Sequence, residues 1–185
     1  ASWPSRVPSS IVASFMAPVD YHAGRKPAKA TRSAPRFRVE PTPTAPYRPG
    51  MQDRTVVITG ANSGIGAAAA QELARRGAQV AMVCRSLERG AAARDRVLAE
   101  VPGAKVGLHQ LDLASLESVR RGAAELLERY PRIHVLLNNA GVYLPKRRET
   151  EDGLEATVQI NHFGPFLLTC LLAPRLLESA PARII

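Results

Sequence analysis

The stretch TVVITGANSGIGAAAAQELARRG, residues 55–77, changes character twice. With Arg54 ahead of it, RTVVIT (54–59) is a short β-branched run of the kind that fills a buried strand. Glycines at 60, 64 and 66 follow, and then an alanine-rich run with Ile65, Ala69 and Leu73 on one helical face, closing at Gly77. A strand, a glycine turn and a helix in this order have a defined chemistry. Gly60 lets the chain turn sharply off the strand, and a side chain at Gly64 would hold the backbone away from a pyrophosphate. Gly66 lets the helix pack close to the sheet. The helix N-terminus then offers unbonded N–H groups and a partial positive charge to phosphates. Gly60, Asn62, Ser63, Gly64, Ile65 and Gly66 are therefore the expected phosphate-cradling set. No Lys-Ser/Thr pair follows the last glycine, which excludes a P-loop. A glycine-rich turn without a ligand is the bland alternative.

The same alternation continues outward. QVAMVC (79–84) reads as a second strand, and its helix starts after Ser86, an N-cap, and stops at Pro102-Gly103. KVGLHQL (105–111) is a third strand. Leu116, Val119, Ala123, Leu126 and Tyr130 then form an apolar stripe at helical spacing, ended by Pro131, before a fourth strand in IHVLLN (133–138). Strands recurring with a helix between them need crossover connections, and so parallel pairing and a sheet covered on both faces. The pattern predicts an α/β domain with a doubly wound parallel sheet over residues 51–185. Its fifth strand opens in ARII (182–185), where the sequence ends.

Residues 1–50 are different. They hold 9 of the 15 prolines and a net charge of +6, whereas residues 51–185 carry only +3 of the total +9. Pro49-Gly50 marks the boundary. A basic arm is able to meet nucleic acid or anionic lipid, but no aromatics are interleaved in a binding pattern, so the reading is a solvated, disordered tail rather than a nucleic-acid contact. Its Arg and Ser content resembles an organelle transit peptide, although its prolines argue against the amphipathic helix such peptides form. No uninterrupted apolar run reaches the length of a membrane span. Cys84 and Cys170 lie singly in apolar contexts, which reads as structural thiols of a reducing, intracellular compartment. The four histidines share no metal-type spacing, and no metal is expected.

At the end of the second strand, beside the position of an adenosine ribose in such folds, an acidic residue would select NAD(H). Here Cys84-Arg85-Ser86 stands instead, and Arg85 offers a guanidinium to a 2′-phosphate, favouring NADP(H). Read as a surface cation, Arg85 would carry no such role.

With these residues in place the chain resembles the short-chain dehydrogenase/reductase superfamily, in its retinol dehydrogenase-like branch, over residues 52–185. The likeness rests on Gly60-x-x-x-Gly64-x-Gly66, on LDL (111–113), on NNAG (138–141) and on INHFGPFLLT (160–169). It implies a Rossmann-type sheet. It implies that Asp112 touches the adenine ring, that Asn138, Asn139, Ala140 and Gly141 pack against the cofactor ribose and tie strand to strand, and that Asn161 is the catalytic asparagine. Without the likeness, Asp112 reads as a turn or capping acid, the asparagines as turn formers, and Asn161 as a structural hydrogen-bonder. Pro165 departs from the family pattern, and with Pro174 predicts a kinked helix.

The resemblance further implies an oxidoreductase that interconverts an alcohol and a carbonyl, with a retinoid or other lipophilic substrate, and a homo-oligomer packed in part through the helix bearing Asn161. Family chemistry places a serine after the fifth strand and a Tyr-x-x-x-Lys on the next helix, the lysine lowering the tyrosine's pKa. None of Tyr21, Tyr47, Tyr130 and Tyr143 has Lys four residues on. Of the four catalytic roles only Asn161 is found, so these 185 residues by themselves are expected to be inactive, either as part of a longer enzyme or as a non-catalytic dinucleotide- or partner-binding product. Cytoplasm, endoplasmic reticulum surface and mitochondrion all remain compatible with the sequence.

Overall fold

A computed structural model describes residues 50–185. The proline-rich segment, with its expected disorder, lies outside them. The elements are β1 (Thr55–Thr59), α1 (Gly64–Arg75), β2 (Gln79–Cys84), α2 (Leu87–Glu100), β3 (Val106–Gln110), α3 (Leu116–Arg129), β4 (Val135–Leu137), α4 (Ala156–Glu178) and β5 (Arg183–Ile184). All strand pairs are parallel and the sheet order is β3-β2-β1-β4-β5.

Parallel strands must be covered on both faces, and β1 shows how the sequence arranges this. Val57 points to one face, toward Val119, Ala123 and Leu126 of α3 and Leu168, Leu172 and Leu176 of α4. Val56 and Ile58 point to the other, toward Ala70 and Ala74 of α1 and Ala93 and Val97 of α2. A strand with period two and two apolar faces becomes an unbroken hydrophobic run. Each such side chain, fully buried, contributes about 1.5–3 kcal/mol.

The α1 face predicted from Ile65, Ala69 and Leu73 is corrected. The buried residues are Gly66, Ala70 and Ala74, one position on, and Ile65 is 81% exposed. Close approach of α1 to the sheet favours small side chains on the innermost row, so the alanines face inward, Ile65 turns to solvent, and Leu73 packs half-buried at the edge of the same core. Of the stripe on α3, Val119, Ala123 and Leu126 form its buried face together with Gly122, Tyr130 is buried just past the helix end, and Leu116 is half-buried.

α4 begins as one α-turn (Ala156–Val158), passes through a π-helical segment (Gln159–Phe163) and runs on as α-helix from Gly164 to Glu178. Pro165 has no N–H to return to the Asn161 carbonyl four residues back, and the chain answers with a wider turn, in which Gly164 N–H reaches the Gln159 carbonyl. The predicted break is therefore a π segment just ahead of Pro165.

Two further expectations change here. The 23 residues of α4 are long and apolar enough to cross a membrane by length and composition, with a mean hydropathy of 1.2 over the best window, although no uninterrupted run in the sequence suggests it. The polar Gln159, Asn161 and His162 break the run without lowering the average enough. Its inner row, Leu168, Leu172 and Leu176, packs on the sheet as a core helix does. Cys170 lies on the outer row and is exposed, so of the two thiols only Cys84 is buried.

Candidate functional site

The chain runs outward from β1 to β2 and β3, then jumps back to β4 on the other side of β1. The loops leaving β1 and β4 diverge at this switch, which opens a crevice at the carboxyl ends of the strands. A cleft of about 580 Å³ occupies it, walled by all four loops.

The β1 loop supplies Gly60, Asn62, Ser63, Gly64 and Ile65. Gly60 has φ 66, and a Cβ there would come within 2.9 Å of the Ala140 Cα. A Cβ on Gly66 would meet the Gly60 carbonyl oxygen at 2.5 Å, so Gly66 packs behind the loop and does not line the cleft. At Gly64 nothing lies within 4 Å. That side of the loop faces open space, which suits close approach of a ligand.

Three helices start at a serine, and they differ in one respect. Ser86 accepts from Arg89 N–H and Ser115 accepts from Ser118 N–H, each closing its helix N-terminus. Ser63 occupies the same N-cap position on α1 with an extended backbone, but its hydroxyl makes no capping bond. The first-turn amides of α1 are left to whatever enters the cleft. Below them, the amides of Ala61 and Asn62 meet the sulfur of Cys84, whose pKa burial raises and those two N–H groups pull back.

The β2 loop brings Arg85 and Arg89 to the cleft, one helical turn apart. Both are exposed, and neither guanidinium has a carboxylate partner among the described residues. Arg89 was not anticipated, although its place in the first turn after Ser86 is readable once Arg85 is singled out. From the β3 loop, Asp112 lines the cleft, with Oδ1 accepting from Ala114 N–H at 2.9 Å and its own N–H donating to Ser118 Oγ. Oδ2 has no protein partner among the described residues.

The β4 loop divides the predicted NNAG set. Asn139, Ala140 and Gly141 line the cleft; Asn138 does not. The hydroxyl of Thr59 accepts from both Asn139 N–H (3.1 Å) and Ala140 N–H (3.0 Å) and donates to the Leu137 carbonyl, so one β1 side chain fixes the β4 loop. The Asn139 amide returns the tie by donating to the Thr59 carbonyl at 2.9 Å. Asn138 turns to the far side, where Nδ2 donates to Thr169 Oγ1 and Oδ1 is buried with no partner among the described residues. Asn161 is exposed and does not itself line the cleft. Its side-chain amide is bonded twice to the backbone of Val142, accepting from the N–H at 2.8 Å and donating to the carbonyl at 2.7 Å. Val142 itself lines the cleft.

A dinucleotide fits this arrangement on three counts. The glycines stand where a Cβ would collide or would fill the opening; an uncapped helix N-terminus faces the cleft; and two cations without a carboxylate partner among the described residues stand at the β2 end. Among the described residues no group of His, Cys, Asp or Glu is placed to hold a metal ion.

Comparison with known proteins agrees with this geometry. The family model for short chain dehydrogenases matches residues 54–185. Retinol dehydrogenase 12 of Bos taurus is 46% identical over 132 residues, which are 71% of this chain and 42% of that protein. Dehydrogenase/reductase SDR family member 13 of Bos taurus is 49% identical over 135 residues, 73% of this chain and 35% of its own. The chain thus spans less than half the length of these curated relatives. Among solved structures, a metagenomic short-chain oxidoreductase in complex with NADP superposes with a TM-score of 0.63 at 29% identity, over 72% of this chain and 61% of the other. A protein of Mycobacterium paratuberculosis gives 0.59 at 46% identity, over 69% and 44%. The sequence match, the parallel sheet and the cleft at its switch point together make the chain a member of the short-chain dehydrogenase family, in the retinol dehydrogenase-like branch.

Proposed function

We propose that residues 51–185 form the cofactor-binding part of an NADP(H)-dependent oxidoreductase that interconverts an alcohol and a carbonyl, with a lipophilic substrate such as a retinoid. The observation that carries the reading is the uncapped N-terminus of α1 opening on the same cleft as Arg85 and Arg89. First-turn N–H groups bind the pyrophosphate, and the helix charge adds to them. Arg85 and Arg89 take the 2′-phosphate, since no acidic residue stands at the end of β2 to accept a ribose hydroxyl. Asp112 receives the adenine amino group on its open oxygen. Thr59 and Asn161, acting through the backbone of Ala140 and Val142, hold the wall facing the ribose and nicotinamide. When bound, the nicotinamide supplies or accepts the hydride.

Proton transfer to or from the substrate oxygen falls, in the family pattern, to a serine and a Tyr-x-x-x-Lys. Asn161 is the member of that set found here, so we propose that the 185-residue chain by itself binds the dinucleotide without turnover. The outer row of α4, with Phe163, Phe166 and Leu177 exposed, is where a second copy would pack.

Titration with NADPH and NADH tests the reading. Arg85→Asp should lower NADPH affinity by about ten- to a hundredfold, the weight of one charge-assisted pair, and leave NADH within about threefold. Equal losses for both would show that Arg85 does not select the cofactor. No binding of either by the wild type would remove the proposal altogether.

A further inference from the structure

Gln159 is a fully buried polar side chain in the first turns of α4, at 0% exposure, and nothing in the dinucleotide site calls for it. Burial of an amide is costly unless it is bonded, and here both its oxygen and its nitrogen have partners. Nε2 donates to Asp152 Oδ2 at 2.6 Å, and Oε1 accepts a short hydrogen bond from the Thr150 hydroxyl. The same Asp152 oxygen accepts from Leu116 N–H, at the first residue of α3, at 2.9 Å. Thr150 and Asp152 sit in a turn closed on itself by Thr150 N–H to the Leu154 carbonyl (2.9 Å), Gly153 N–H to the Thr150 carbonyl (3.0 Å) and Ala156 N–H to the Arg148 carbonyl (2.9 Å). Gln159 thereby ties three elements together: this turn, the start of α3 and the π-helical segment.

Its position relative to Asn161 gives the tie a consequence. Residues two apart on a helix point to nearly opposite sides. Gln159 points into the protein and Asn161 points out to Val142. Fixing the rotation of the segment at 159 therefore fixes the direction of the amide at 161. That amide clamps both backbone groups of Val142, a residue of the cleft wall. A π segment followed by Pro165 has weakened helical bonding of its own, so its rotation needs an external anchor.

We propose that Gln159 is a positioning residue, which through the π segment and Asn161 sets the Val142 wall of the dinucleotide cleft. The proposal rests on the reading of that cleft given above. The experiment uses the full 185-residue chain. Hydrogen exchange at the Val142 amide is measured in the wild type, in Gln159→Leu, which keeps the bulk and loses the polar groups, and in Thr150→Val, which removes one partner of Gln159 at nearly constant shape. NADPH affinity is titrated on the same samples. In Gln159→Leu the Val142 amide should exchange about tenfold faster, the weight of one hydrogen bond. Amides of β1 to β3 should keep their protection and NADPH should bind several-fold more weakly. Thr150→Val should show the same pattern to a smaller degree and decides the matter if Gln159→Leu does not fold. Unchanged exchange at Val142 in a folded variant overturns the proposal, as does a uniform loss of protection throughout the sheet, which marks Gln159 as a residue of general stability only. Wild-type protein that fails to bind NADPH would instead defeat the cofactor reading, while the exchange at Val142 still judges the tie.

Discussion

Cys84 and Cys170 carry the same thiol into opposite surroundings. Cys84 closes β2 beneath the phosphate loop and is 2% exposed, and burial raises its pKa above the ordinary thiol value. Cys170 lies on the outer row of α4, open to solvent. The thiolate is the reacting form, so burial slows Cys84 twice, by shielding it and by raising its pKa, while Cys170 is open to a reagent. A disulfide reagent added to native protein should modify one thiol quickly and the second only after denaturant. Rapid reaction of both would mean that the phosphate loop opens readily. The two asparagines of NNAG teach the same lesson. They are adjacent and identical in type, yet Asn139 faces the cleft and Asn138 faces Thr169, because successive residues leaving a strand point to opposite sides.

At the scale of elements, the seam between β1 and β4 contains a titratable side chain. His134 is buried, and its Nδ1 accepts from Thr55 N–H at 3.0 Å, which requires that nitrogen to be unprotonated. Burial lowers its pKa, and the charges of Arg54 and Arg132 lower it further. An unfolded histidine titrates near 6.5, so the contribution of His134 is fully present above that pH. It is lost as pH falls below 6.5 toward the lower folded value, because the unfolded chain takes up the proton first. Unfolding free energy measured by denaturant between pH 7.5 and 5 should fall on the acid side. His134→Asn, which keeps an acceptor near Thr55 and removes the titration, should flatten that slope. An unchanged slope would assign the acid sensitivity elsewhere. The element scale is also where the reading of α1 from sequence went astray. Ile65, Ala69 and Leu73 are the more hydrophobic row, but close packing on the sheet gives the innermost place to Gly66, Ala70 and Ala74, leaving Leu73 half-buried at the core edge and Ile65 exposed.

Over the whole molecule, α4 serves two surfaces. Its inner row completes the core with α3 and the sheet, and its outer row leaves Phe166 62% and Leu177 77% exposed. Exposed apolar rows of this kind mark contact surfaces. In sedimentation at tens of micromolar the chain should run above the mass of its 185 residues, and Phe166→Glu should return it to monomer with little change in melting temperature. A wild-type monomer at that concentration would retire the α4 interface.

The sequence by itself determined the layer order, the parallel sheet, the glycine loop and the cationic end of β2. These depend on local periodicity and on residues whose backbone freedom or charge is intrinsic, such as Gly60 with its positive φ and Arg85 with its fixed charge. Only the tertiary structure decided which groups meet. Thr59 reaches the loop after β4, 80 residues away, and Asn161 reaches back 19 residues to Val142. Gln159 is drawn inside because Thr150, Asp152 and the start of α3 converge on it. A strand or helix signal needs only its neighbours in sequence. A hydrogen bond between distant residues exists once the sheet order has brought their backbones within about 3 Å, and no local pattern encodes that distance.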